Sequence, residues 1–343
     1  MQTDPLFSVI IPVKNGDFWL ERLFQALMRQ TLFSRTEIIV IDSGSTDKSL
    51  DIIRRYQGVG ENRVQGDGEN QVQGDGENQV RLIEIPPAEF NHGETRNLGA
   101  RAARGEFVVM TVQDAVPASD QWLQFFLAGF TDDKVAAVCG QQVVPHERDK
   151  NPVIWFRPVS AHRTWFCHFE RPEDFEKLSP SEQRQIAGWD NVVSAYRRKI
   201  LLENPFPAID FAEDLIWAKG MLLKGHTLGH VSEAIVFHYH HHLPEFVLPR
   251  YFSVYYFEYK IFGLRPGIEH SVLWNIGVGA RVLLREKALT GKEKFKWLIF
   301  TIRYWMVLKR TIKKFNAALD KGDACLDVQY RRICKRPPQA FKY

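Results

Sequence analysis

The first 120 residues alternate short apolar runs with segments of helical spacing. Phe7 to Val13 (FSVIIPV) is a nearly continuous apolar run, the pattern of a strand buried on both faces of a parallel sheet. Phe18 to Gln30 spaces its apolar residues three and four apart, which predicts a helix. Glu37 to Ile41 (EIIVI) predicts a second strand, and Asp42 to Asp47 (DSGSTD) the polar turn that follows it. Ser49 to Tyr56 continues as a helix and Leu82 to Ile85 as a third strand. Glu94 to Arg104 is a helix stopped by Gly105, and Phe107 to Val112 another buried strand. This order predicts an α/β fold: a mostly parallel sheet with helices on both faces.

Residues 59–80 interrupt the pattern. Val64 to Gln71 (VQGDGENQ) repeats as Val72 to Gln79, after a partial copy at Val59 to Arg63. Two copies are too few for a solenoid, and the Gly-Asp-Gly spacing does not match an EF-hand loop. The segment reads as an expanded, mobile surface loop. Residues 145–190 are rich in Trp, Phe, Pro and His with little periodicity. Phe211 to Gly225 predicts a helix and Ala234 to Phe237 a short strand entering the patch HYHHH, His238 to His242. Helices follow Pro244, among them Tyr251 to Phe262 and Lys294 to Phe315.

Charge sharpens this division. Residues 244–343 hold 20 Lys and Arg against 8 Asp and Glu, a net of +12. The first 243 residues hold 25 against 33, a net of −8, and together they return the +4 of the whole chain. Residues 1–243 are therefore read as an acidic body and 244–343 as a basic helical extension. That extension suits an anionic partner or is a solvated basic face. No run of 18 apolar residues predicts a spanning helix. Met1 to Pro5 lacks a signal-peptide pattern. Four cysteines without a C-x-x-C pair argue for a reduced, cytoplasmic protein and against a zinc site.

In an open parallel sheet, ligands bind beyond the carboxyl ends of the strands. Lys14-Asn15 follow the first strand, Asp42 the second and Asp114 the fourth. One such carboxylate can accept hydrogen bonds from a base or ribose, and another can hold a divalent metal on a diphosphate. Each also has a local explanation, because Asp commonly starts a turn. No G-x-G-x-x-G or P-loop motif is present.

SVIIPVKN (8–15), EIIVIDSGSTDKS (37–49), VQDAVP (112–117) and AED (212–214) resemble glycosyltransferase family 2, of the GT-A fold. FNHGETRNLGA (90–100), SAYRRK (194–199), AEDLIWAKGMLLKGH (212–226), HYH (238–240) and RYF (250–252) are most similar to its rhamnosyltransferase-like branch. The resemblance covers roughly residues 6–260. It implies that Asp42 reads the nucleotide base, with Pro12, Val13, Asn15, Ser43, Gly44 and Ser45 lining the same pocket. Asp114 matches the last Asp of the family's D-x-D motif, the metal ligand, with Gln113 beside it. The first Asp falls at Val112, a departure that leaves ribose recognition without its usual carboxylate. His238 or His240 is then an added ligand for Mg²⁺ or Mn²⁺. The alternative for this patch is an exposed polar cluster, above all at His241 and His242.

The resemblance makes Asp214 the general base and places Glu213 beside the acceptor. A helix N-terminus also favours an acidic residue for its dipole alone. His92 starts a helix that approaches the donor. Arg96 either pairs with a phosphate or forms an ion pair with Glu94 or Asp114. Trp189, Asp190 and Asn191 fall on the acceptor side, where Trp189 either stacks on a sugar ring or packs in the core. The implied activity is inverting transfer of a sugar, L-rhamnose from dTDP-L-rhamnose, to a cell-surface polysaccharide intermediate. The implied partners are a dTDP- or UDP-sugar and a glycan or lipid-linked glycan acceptor.

Lys292 to Lys314 interleaves eight Lys and Arg with Phe, Trp, Tyr and Leu. That is the composition of a basic amphipathic helix at the inner face of a membrane, or of a helix packed on the catalytic unit. Rival readings are a nucleotidyltransferase, for which IIPVKNG is a poor phosphate loop, and a non-catalytic nucleotide-sugar-binding relative, for which Val112 speaks. No nucleic-acid-binding module accompanies the basic tail.

Overall fold

The computed structural model describes residues 4–57, 79–161, 163–240 and 243–337. The repeat segment, save its last two residues, and His241 and His242 lie outside them. β1 (Phe7–Val13) and β2 (Thr36–Asp42) are joined through α1 (Asp17–Met28), and α2 (Ser49–Gln57) leads towards β3 (Val80–Glu84). α3 (His92–Ala102) precedes β4 (Phe107–Met110), and β5 (Val116–Pro117) and α4 (Trp122–Gly129) follow it. β1 pairs in parallel with both β2 and β4, and β2 with β3. Ile10, Ile39 and Val109 are fully buried, which is why these strands read as continuous apolar runs.

The second half of the sheet is mixed. β6 (Val135–Val143) is parallel to β9 (Thr227–Phe237), but β8 (Ser194–Arg197) runs antiparallel between β4 and β6. β5 and β7 (Thr164–Cys167) are antiparallel to β9. Among the described residues the strand order is β3-β2-β1-β4-β8-β6-β9-β5, with β7 on β9. The expected parallel arrangement therefore holds from β3 to β4. The antiparallel strands are two to four residues long, too short to show a period in sequence. The reversal of β8 has a functional consequence, since Ser194 pairs with Met110. The loop 189–193 before β8 therefore opens at the carboxyl end of β4.

Between β7 and β8 lie α5 (Pro172–Glu176) and α6 (Pro180–Ile186); α7 (Arg198–Glu203) and α8 (Glu213–Leu223) follow β8. The C-terminal helices are α9 (Pro244–Phe262), α10 (Val272–Arg285), α11 (Gly291–Leu319) and α12 (Asp323–Cys334). α9 starts seven residues before the expected Tyr251, with Pro244 at its first turn and Pro249 inside it. Phe252, Tyr256, Phe315 and Tyr330 join these helices to the hydrophobic core of the sheet.

Candidate active site

The strand register assembles the site. Val13 pairs with Asp42, which sets the ends of β1 and β2 side by side. Val116 pairs with Phe237, so His238 leaves β9 beside Asp114. With the 189–193 loop and the start of α8, these ends surround a cavity of about 660 Å³. It is lined by Pro12, Val13, Ser43, His92, Arg96, Gln113, Asp114, Trp189, Asp190, Asn191, Glu213, Asp214, His238 and His240, all singled out from sequence.

Asn15, Asp42, Gly44 and Ser45 do not line it. Asp42 is buried and its carboxylate caps its own turn. Oδ1 accepts from the backbone N–H groups of Gly44 and Ser45, each at 2.9 Å, and Oδ2 from the Ser45 hydroxyl. Gly44 takes φ +85°, a conformation that an L side chain resists. The Ser45 hydroxyl accepts from Asn15 N (2.9 Å), and Asn15 Oδ1 accepts from Thr46 N (2.8 Å). These residues brace the two loops against each other. Gln113 ties the Lys14 backbone in the same way, accepting from its N–H (2.8 Å) and donating to its carbonyl (3.1 Å).

Asp114 and the two histidines form one cluster, their ligand atoms within 4.8 Å of one another. Gln142 orients it. Its Nε2 donates to Asp190, and its Oε1 accepts from Arg157 at 3.2 Å. Oε1 also lies 2.7 Å from His238 Nδ1, so the network assigns the proton to Nδ1 and leaves Nε2 a bare lone pair. That lone pair faces Oδ1 of Asp114 at 3.5 Å, and His240 Nδ1 lies 3.6 Å from Oδ2. Two acceptors facing each other repel unless a cation joins them, and one carboxylate with two imidazoles suits Mn²⁺ or Mg²⁺. With the rings protonated the contact reverses: burial acts to raise the Asp114 pKa, but the hydrogen bond and charge of the imidazolium rings outweigh it and hold the carboxyl below its usual range.

On the other wall, α8 begins with Ala212 in the left-handed region, φ +64°. A non-glycine residue there carries strain, immediately before Glu213 and Asp214. Asp214 Oδ1 accepts from Leu215 N (2.8 Å) and Oδ2 from Asn191 N (3.2 Å). Its pKa lies well above the usual carboxylate range, first because of burial and then through the charges of Glu213 and Asp190. Glu213 is buried and pairs with Arg96 at 3.1 Å, while Asn191 Nδ2 donates to it at 2.9 Å. The ion pair expected with Glu94 or Asp114 is thus made with Glu213, because α3 packs its Arg96 face on the start of α8. Arg96 also donates to the His92 carbonyl at 3.0 Å, while its buried Nε–H has no hydrogen-bond partner among the described residues.

Asn91 caps α3, its Oδ1 accepting from Gly93 N and Glu94 N at 3.1 Å each. A Cβ on Gly93 would lie 1.9 Å from the Pro207 carbonyl oxygen, so only glycine lets this helix end seat beside α8. Trp189 is buried, and its indole N–H donates to Tyr196 Oη at 2.7 Å. Its ring packs in the core and presents little surface for stacking.

The sequence reading missed Gln142, Arg157, Tyr251 and Tyr304 as parts of this cavity. Gln142 and Arg157 belong to no motif. Arg250-Tyr251 stands in the RYF motif and carried a signal. Tyr304 comes from α11 and shares a hydroxyl–hydroxyl hydrogen bond with Tyr251.

Comparison with known proteins gives the class of protein that carries this cavity. Residues 8–201 match the model of Glycosyl transferase family 2, more than half of the chain, and the chain belongs to that family. The O-antigen chain rhamnosyltransferase WbaN of Salmonella anatum is 28% identical over 322 residues, 91% of this chain and 87% of that one. RfbN of Salmonella typhimurium, of the same description, is 27% identical over 90% and 87%. Among solved structures, the mannosyltransferase PcManGT from Pyrobaculum calidifontis in complex with GDP-Man and Mn²⁺ has a TM-score of 0.52 at 17% identity, over 97% of this chain and 84% of that one. That likeness is one of fold, the GT-A fold.

Proposed function

We propose that the protein is an inverting, metal-assisted glycosyltransferase moving L-rhamnose from a dTDP- or UDP-linked donor to a glycan acceptor in cell-surface polysaccharide synthesis. The observation that carries this is the shared cavity of Asp214 and the Asp114–His238–His240 cluster. The catalytic unit is residues 1–243, with 244–343 as an extension. The donor diphosphate lies against the cluster, Gln113 and the Pro12–Val13 loop. Asp42, Asn15, Gly44 and Ser45 hold the base-side loops.

The acceptor hydroxyl sits against Asp214. As its oxygen bonds to the anomeric carbon, its proton passes to Asp214, and the bond to the diphosphate oxygen breaks with its electron pair. A single displacement inverts that carbon. A raised pKa makes the ionised Asp214 a stronger proton acceptor. Glu213, Asp190 and Asn191 position it. A divalent cation bound by Asp114, His238 and His240 would offset charge on the leaving diphosphate. Rhamnose as the sugar is supported by the two O-antigen chain rhamnosyltransferases to which the chain is similar over about nine-tenths of its length.

The test is transfer from dTDP-L-rhamnose to a lipid-linked oligosaccharide with Mn²⁺ or Mg²⁺, the product anomer read by NMR. An inverted rhamnoside from the wild type and none from Asp214→Asn is the expected result. Retention of configuration, or turnover undiminished in Asp214→Asn, refutes the reading.

A further inference from the structure

α10 and α11 form a hairpin packed through Leu283, Leu289 and Trp297. On its outer side Leu273, Leu284 and Phe295 are 81%, 75% and 66% exposed, and Trp274, Ile299 and Met306 are about half exposed. Lys292, Phe295, Ile299, Met306, Arg310 and Lys313 recur at spacings of three, four and seven, so basic and apolar side chains share one stripe of α11. From Val272 to Lys314 eleven Lys and Arg stand against two Glu, a net of +9. Both glutamates are engaged: Glu286 lies 3.2 Å from His146, and Glu293 pairs with Arg148 and caps α11 through Thr290. No helix among the described residues is long and apolar enough to cross a membrane.

We propose that this hairpin docks the protein on an anionic lipid surface, with its apolar side chains in the headgroup boundary and its Lys and Arg on lipid phosphates. Charge complementarity selects this occupant. A second copy of the same face would set +9 against +9. A nucleic-acid backbone would engage the charges and leave six apolar side chains in water. The inner side of α11 carries Tyr304, which lines the cavity. The docked face and the cavity wall are therefore two sides of one helix, which suits an acceptor delivered from the lipid. The docking rests on the surface alone and stands whether or not the rhamnose reading does.

The test is sedimentation of the full chain with vesicles of phosphatidylcholine alone and with about a third phosphatidylglycerol. Binding to the anionic vesicles only is expected, weakened by salt. Lys292→Glu/Lys296→Glu should weaken it at least about fivefold per residue. Leu284→Glu/Phe295→Glu should weaken it too, without moving the thermal midpoint, because these positions are exposed. Binding that survives both variants, equal binding to neutral vesicles, or no binding to either overturns the proposal. So does a dimer in solution that Leu284→Glu/Phe295→Glu dissolves, or duplex DNA held more tightly than the anionic vesicles.

Discussion

His238 Nε2 faces Oδ1 of Asp114 across 3.5 Å while its Nδ1 is committed to Gln142. The relay fixes the imidazole with its lone pair towards the cluster, and an unoriented ring would lose that advantage. Gln142→Leu should lower affinity for Mn²⁺ about 10- to 100-fold, with Asp114, His238 and His240 all in place. Calorimetric titration of Mn²⁺ in the presence of dTDP measures it. Unchanged affinity would remove the relay from the account.

Asp214→Asn removes the proposed base and little else from the cavity wall. Turnover should fall about 10²- to 10⁴-fold, with donor affinity unchanged in a binding titration. A parallel loss of donor affinity would instead make Asp214 a binding residue.

The raised pKa of Asp214 has two pH signatures. The base works ionised, so kcat/KM should rise with pH through a midpoint above the ordinary Asp value of about 3.9. Stability runs the other way. A carboxyl whose folded pKa is raised contributes fully below its unfolded pKa, and that contribution is lost as pH rises through the folded pKa. Asp214→Asn should therefore be the more stable form at neutral pH, by about 1 kcal/mol, and the gap should close on acidification. Thermal midpoints of both forms across pH check this. A gap that widens in acid contradicts it.

Arg96 and Glu213 are both buried, and each is the other's counter-charge. Arg96→Ala leaves Glu213 with only a neutral amide partner and should cost about 3–5 kcal/mol in urea unfolding. The double variant Arg96→Met/Glu213→Leu should be markedly less destabilised, because no buried charge remains. Similar losses in both would assign the cost to packing.

Gly93→Ala forces a methyl group onto the Pro207 carbonyl. The expected cost is about 1–3 kcal/mol, and the shift of α3 should also displace Arg96 from Glu213. Circular dichroism melts and turnover together test whether stability and activity fall in step.

The β1–β4 half of the fold was legible because β1, β2 and β4 are buried on both faces and written as apolar runs. The strand ends then named Asp114, and the motifs named Asp214, His238 and His240. A carboxylate before Ser-Gly-Ser has the same spelling whether it binds a base or caps its own turn. The hydrogen bonds from Gly44 and Ser45 show the second role, which no sequence pattern separates from the first. The Arg96–Glu213 pair spans 117 residues and depends on how α3 meets α8, which no local period encodes. Gln142 and Arg157 were invisible because Gln142 meets His238 through the pairing of β6 with β9 and Arg157 through its bridge to Val144, and no local period encodes either.

The most direct test of the central claim is a calorimetric titration of dTDP-L-rhamnose into the wild type and into Asp114→Asn, each with and without Mn²⁺. The account predicts tight binding only to the wild type with metal present. Metal-independent binding, or equal binding by Asp114→Asn, would contradict a metal-held donor at Asp114.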